Sequence, residues 1–411
     1  MSLGIAYLLL EWPRYSETFI LNELLALAPH GQPIHIFCIQ QSGETQVPQE
    51  FAAKTEFLSD ASSNVTLSSN DVLCLLESNR GMLTAEVQRA YSRFEARVDI
   101  DDVDKRRQPL FALACALHLL SRCRELKITH VHCHYANLPV MVAEIAYKLG
   151  GAAFSFTGHA KDIFTMEPAQ LGKKIAAAKF AVSCSEAGRA TLVGAAAPEH
   201  ADRIHRVYHG IWNRDWQVER QPPGDGFRIL AVGRLTPKKG FYTLVQALSI
   251  LRARGIEVTA EIIGEGRERD ALLSLADRLR VTDCLQLPGK LSQQQIRERF
   301  KSVSVLVLPS IILESNNQDG LANALLEAMA AAVPVIASDI PALLEVVTNG
   351  ETGLLFPSGN AEALADSLQE LSRDQVRGER LGAAARARVA QFDCSMAAEQ
   401  LMTLFRRYVT A

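Results

Sequence analysis

Two cations and two acids in the second half of the chain are spaced for work on a phosphorylated ligand. The stretch Val232-Gly233-Arg234-Leu235-Thr236-Pro237-Lys238-Lys239-Gly240 reads as a buried strand ending at Gly233, a cationic loop, and a helix opening near Phe241. The first N–H groups of a helix and its dipole both favour negative charge, so cations beside them make an anion site. Arg234 can grip a phosphate through two parallel hydrogen bonds, and Lys239 adds a point charge. The competing reading is an ordinary loop with solvated cations. Further on, Asp319-Gly320 reads as a helix start, with a helix expected over Leu321–Ala332 and open amides at Gly320, Leu321 and Ala322. On such a helix Asp319 and Glu327 stand ~12 Å apart along the axis. That exceeds the ~5–9.5 Å of a glycosidase acid/base pair. It suits two ends of one extended ligand, one carboxylate on a sugar and the other on a ribose. Glu327 taken alone equally fits a buried partner of an arginine or a backbone amide.

Three further constellations are weaker. Ile263-Gly264-Glu265-Gly266 follows a strand, and a lone G-x-G signals only a tight turn or close backbone approach. Pro13–Ile20 leads from a strand into a helix that Ser16 or Thr18 would cap. His130, His132 and His134 alternate on one strand and so share a face. His-x-His can bind metal, but no carboxylate or cysteine set of matching spacing accompanies it, so no metal is expected. His159 stands just past another strand, in Ser155-Phe156-Thr157-Gly158-His159, where a functional and a structural role weigh equally.

These groups must be positioned by an α/β framework. Apolar runs expected as strands are Gly4–Leu10, Ile34–Ile39, His130–His134, Ala153–Phe156, Phe180–Cys184 and Arg206–His209. A second series is Arg228–Gly233, Val258–Gly264, Leu285–Pro288, Val303–Leu308, Val333–Ser338 and Leu354–Phe356. Helical patterns such as Tyr242–Arg254 and Arg267–Leu279 separate most of them, which argues for parallel sheets. The polar run 219–226, with two prolines and two glycines, reads as a linker. The expected domains are therefore 1–218 and 227–392, with a closing helix over 393–411. Residues 58–110 show no legible strand order.

Composition narrows the function classes. The chain has 411 residues, 48% hydrophobic and 22% charged, with a net charge of −3. No basic excess of the nucleic-acid-binding kind is present. The eight cysteines form no C-x-x-C pair and mostly sit in apolar runs, as expected of buried thiols in a reducing compartment. MSLGIAYLLL lacks the basic start and cleavage site of a signal peptide. No apolar run reaches the ~20 residues of a membrane span. A cytoplasmic location is expected, with peripheral contact at the inner membrane face left open. Oligomeric state is not legible.

Taken together, these segments resemble the retaining glycosyltransferases of family 4, which have the GT-B fold. The pieces are Tyr15–Glu23, His132–Ala136, Phe156–Ile163, Val207–Ile211, Gly233–Gly240, Asp319–Ala330 and Gly350–Phe356. The Ser16–Glu23 stretch is similar to the subgroup that builds bacterial exopolysaccharide and capsule units. The resemblance implies two Rossmann-like domains facing a cleft, the second holding a UDP- or GDP-sugar and no separate cofactor. It implies that Arg234 and Lys239 hold the donor diphosphate, with Gly233, Gly264, Gly289, Leu291, Gly320, Leu321, Ala322 and Asn323 around the donor. It places Asp319 by the sugar, Glu327 on the ribose and His159 near the transferred sugar. Ser16, Glu17, Thr18, His134 and Asn137 fall on the acceptor side, toward a saccharide or lipid-linked saccharide. Asp319 departs from the commoner Glu, Ala322 from Pro, Trp212 from Asp and Cys394 from Trp. The competing functions are a nucleotide-sugar 2-epimerase, a non-catalytic sugar-nucleotide binder and, less well matched, a nicotinamide dehydrogenase. The last would want G-x-G-x-x-G after the first strand, where Leu10–Arg14 stands.

Overall fold

Period-two and continuous apolar runs become strands, and their ladder order decides where a ligand can sit. The computed structural model describes residues 4–14, 17–31, 34–42, 47–58, 103–221 and 226–409. Among them, β1 (Ile5–Trp12), β2 (Ile34–Gln41), β3 (Thr55–Phe57), β4 (His130–His134), β5 (Ala153–Gly158), β6 (Ala181–Ser183) and β7 (Ile204–Arg206) pair in the order β3-β2-β1-β4-β5-β6-β7. A second sheet joins β8 (Phe227–Val232), β9 (Val258–Ile263), β10 (Leu285–Gly289), β11 (Val305–Leu308), β12 (Val335–Ser338) and β13 (Leu354–Phe356) in the order β10-β9-β8-β11-β12-β13. Every pairing is parallel. Strand order reverses between β1 and β4 and again between β8 and β11. In open α/β sheets the crevice at such a reversal, beyond the strands' carboxyl ends, receives ligands.

The strands are apolar on both faces because helices cover both. Ile5, Ala6, Tyr7, Leu8 and Leu9 of β1 are fully buried, as are Ile229, Leu230 and Ala231 of β8. The helices Phe241–Ala253 and Ala361–Arg373 pack on one face of the second sheet, and Asn323–Ala330 lies with the other.

Two strands differ from expectation. β3 was not legible: it is three residues long, and its Glu56 is a partner of Arg122 (Nε–Oε2 2.7 Å) instead of an apolar signal. β7 sits at Ile204–Arg206, not 206–209, because β6, its only neighbour among the described strands, runs out at Ser183, which pairs with Arg206.

The chain divides into two compact units. One comprises Met1–Cys184, Gly188–Val207 and Ala398–Ala411; the other comprises Ser185–Ala187 and Tyr208–Ala397. The second unit thus begins earlier than the polar run 219–226. Ile211 and Trp216 are already in its core, and Ile211 N–H donates to Phe392 O. Gln221 N–H, within that run, donates to Lys301 O at 2.8 Å. The last helix, Cys394–Val409, ends in the first unit, where the Phe405 ring meets His130, His132 and Phe180 at 5.3–5.9 Å.

Gly264, at the end of β9, has φ +148°, and a Cβ there would fall 1.9 Å from Gly233 O. Gly350, with φ +76°, has open space around it. Gly264→Ala is expected to cost about 2–4 kcal/mol by backbone collision. Gly350→Ala is expected to cost only about 1 kcal/mol, from the strained φ alone. Urea unfolding midpoints of the two variants measure the difference.

Candidate functional site

The reversal between β8 and β11 gathers the cationic loop. Gly233 leaves β8 with its N–H donating to Ile263 O at 2.9 Å, and Gly264 N–H donates to Gly289 O at 2.9 Å. Gly233 is small enough for the Lys239 stem to pass close: a Cβ would meet Lys239 Cε at 3.1 Å. Pro237–Lys239 form one 3₁₀ turn that closes at Gly240, after which the helix Phe241–Ala253 begins. Arg234 is exposed, and its guanidinium makes no ion pair or hydrogen bond among the described residues.

Asp319 is the centre of this site. Its Oδ2 lies 2.8 Å from Lys239 Nζ and its Oδ1 lies 3.2 Å from Lys238 Nζ. Ser310 Oγ, just past β11, donates to Oδ2 at 2.7 Å. Lys238 Nζ also donates to Gln318 O at 3.0 Å. Burial works to raise the Asp319 pKa, but the two ammonium groups and the hydroxyl outweigh it and hold the carboxyl below its ordinary value. Burial lowers Lys238, with Asp319 opposing.

The helix start differs from expectation. The helix covers Asn323–Ala330, and Ala322 precedes it in extended conformation without a side-chain cap. Asp319 is drawn away by the lysines and Ser310 and caps nothing, so the ~12 Å helical spacing to Glu327 does not apply. Gly320, Leu321 and Ala322 form the approach to the helix, with Leu321 O accepting from His209 Nε2 at 3.0 Å. Asn323 is the first helical residue. Leu291 is partly buried and packs against the core cluster that includes Leu321 and Ala322. Glu327 is buried, with no hydrogen bond to its carboxylate among the described residues. Burial raises its pKa to about 8, and Arg297 opposes without cancelling.

In the first unit the reversal between β1 and β4 gathers aromatic and polar groups. His134 Nδ1 lies 3.0 Å from His159 Nε2, and His134 Nε2 lies 3.1 Å from Glu23 Oε1. Tyr7 Oη donates to the same Glu23 oxygen at 2.7 Å. His159 caps the helix Ala160–Phe164 reciprocally with Asp162, whose carboxylate accepts from His159 N–H and from Ala136 N–H. Asp162 is nonetheless raised to about 7 by burial. Phe19 and Tyr135 flank the His159 ring at 4.8 and 4.6 Å. His130 and His132 lie on the same face as His134, as the alternation predicts, but share Ser155 at 2.7 and 2.8 Å, and His132 Nε2 reaches Thr157 Oγ1 at 2.9 Å. Burial holds His130 down to about 3 and His132 well below the ordinary imidazole value.

The expected acceptor residues divide. Ser16 lies outside the described residues. Thr18 is the first helical residue, and the position before it is Glu17, without a side-chain cap, so the expected Ser or Thr cap is not formed by Thr18. Glu17 is buried beside Arg14 (3.4 Å). Asn137 is exposed and precedes the helix Leu138–Lys148. One expectation needs amending. A carboxylate does accompany the histidine strand, since Glu23, His132 and His134 present ligand-type atoms within 4.8 Å of one another. Its partner spacing of 111 residues hid it. Lys238 and Ser310 were also missed. Ser310 had a signal, its place at a strand end beside the reversal.

Residues 213–388 match the family model described as glycosyl transferases group 1. The chain is similar to a relative named for colanic acid biosynthesis, the glycosyltransferase WcaL of Salmonella typhimurium, with 27% identity over 94% of this chain and 95% of the relative. It is similar to the amylovoran biosynthesis glycosyltransferase AmsK of Erwinia amylovora, with 32% identity over 50% of this chain and 51% of the relative. Its fold is that of Anabaena Alr3699/HepE, solved with UDP-glucose, at TM-score 0.73, 15% identity and 98% and 99% coverage. No helix among the described residues is long and apolar enough to cross a membrane.

Glu327 also carries a stability prediction. Its folded pKa is raised above that of the unfolded chain, so its contribution is full below the unfolded value and is lost as pH rises through about 8. Glu327→Gln removes the ionisation, so the variant should gain on the wild type between pH 5 and 9. The gain is expected to reach on the order of a few kcal/mol. Denaturant midpoints across that range test it, and parallel profiles would refute it.

Proposed function

We propose that this chain, a glycosyltransferase with a group 1 domain over residues 213–388, moves a sugar from a nucleoside-diphosphate sugar to an acceptor hydroxyl with retention. One observation carries the reading. Three cations, Arg234, Lys238 and Lys239, converge at the strand reversal, two of them already holding an anion, the Asp319 carboxylate. A diphosphate is the ligand whose charge such a loop matches.

In the proposed reaction the bond from the anomeric carbon to the diphosphate breaks and a bond to the acceptor oxygen forms on the same face. The acceptor proton passes to the departing phosphate oxygen, and no protein base is assigned. Arg234, Lys239 and the amides leading into the helix Asn323–Ala330 stabilise the charge gathering on the leaving group. Asp319 is assigned to the sugar, Glu327 to the ribose and His159 to orienting the sugar, as the resemblance implies. The relatives named for colanic acid and amylovoran biosynthesis support a saccharide or lipid-linked saccharide acceptor in exopolysaccharide assembly. The UDP-glucose bound to HepE supports a uridine donor, with a guanosine donor the other arm of the test. No divalent metal enters the scheme.

Arg234→Ala and Lys239→Ala should each lower turnover about 10²–10³-fold. Arg234→Ala should keep the wild-type thermal midpoint, since its guanidinium has no partner to lose among the described residues. Near-normal turnover of both at saturating donor, or strict dependence on added metal, would sink the scheme. Conversion of donor alone into another sugar nucleotide would replace transfer by epimerisation.

A further inference from the structure

In the first unit, side chains from β1, the helix Thr18–Leu27, β4 and the end of β5 form one hydrogen-bond chain: Tyr7, Glu23, His134 and His159. Its far end is a backbone group, because the His159 side chain accepts from the N–H of Asp162. A backbone N–H only donates, and an ionised carboxylate only accepts. With two neutral imidazoles between them, one proton arrangement satisfies every link. His159 Nδ1 is bare toward Asp162, and His159 Nε2–H donates to His134 Nδ1. His134 Nε2–H then donates to Glu23.

We propose that Glu23 and His134 are positioning residues that lock His159 as its Nε2–H tautomer. The proposal deepens the reading above, in which His159 orients the transferred sugar, and rests on it. The lock has a chemical use. As the diphosphate leaves, the anomeric carbon gains positive charge, and a neutral imidazole adds no repulsion there. A second proton on the pair would set two N–H groups against each other across the 3.0 Å His134–His159 contact. The Phe19 and Tyr135 rings pack against the His159 ring at 4.8 and 4.6 Å. His130 and His132 stand outside the chain, tied to Ser155 and Thr157.

Imidazole ¹H–¹⁵N NMR of the full chain reads the tautomer directly. The wild type should show His159 protonated on Nε2 and bare on Nδ1. Glu23→Met should turn His159 into a tautomer mixture and lower kcat about 10–100-fold, with donor KM held within about twofold. Glu23→Gln, whose carbonyl oxygen can accept from both Tyr7 and His134, should restore kcat to within about threefold of wild type. Protonation of wild-type His159 on Nδ1 overturns the proposal, and that result needs no variant to fold. So does a scrambled tautomer in Glu23→Met with undiminished kcat. A wild type that transfers no sugar from any nucleotide donor fails the functional reading and takes the positioning role with it, while the ring spectrum still decides the tautomer.

Discussion

A buried carboxylate between two ammonium groups organises the second unit. Taking Asp319 out of water alone would cost several kcal/mol, and its charge persists because Lys238, Lys239 and Ser310 surround it. The same contacts tie the loop after β8 to the loop after β11, the two loops at the strand reversal. Neighbouring backbone fits this closeness. Gly240 passes Pro309 O so tightly that a Cβ would sit 1.9 Å away, and Ile311 N–H donates to Lys238 O at 2.8 Å. A cation held this way is oriented before any ligand arrives, which is the condition under which electrostatic stabilisation is strongest.

The first unit uses burial differently. His130 and His132 are kept neutral by desolvation, and their rings pack against Phe180 and Phe405. Their role is architectural, anchoring the last helix to the first sheet. His134 is on the same face of the same strand yet meets Glu23 and His159 instead. Position along the strand separates the roles: His134 is the last residue of β4, at the reversal with β1, while the others lie deeper in the sheet. Tyr135, next in sequence, takes φ +74° to turn the chain there, and its ring closes on His159.

Much of this was legible in the residues. Apolar runs alternating with helical patterns specify parallel α/β sheets, because only helices on both faces bury such strands. The loop after Gly233 and the acid-bearing segment 319–327 were visible because their chemistry is local: cations, glycines and a helix start within a few residues of one another. Spacing alone leaves the roles of Glu327 and His159 open, and the family resemblance only implies them.

Tertiary structure decided what depends on partners far along the chain. Asp319 looked like a helix cap and instead pairs with lysines 80 and 81 positions earlier, which moved the helix start to Asn323. Glu23 meets His134 across 111 residues, a distance at which no local pattern exists. β3 and the true end of β7 were settled by which neighbour strand was available to pair. Sequence determines periodicity and local charge because those act between near neighbours. Ion-pair partners, tautomers and ladder ends are properties of contacts that exist only once the sheets have assembled.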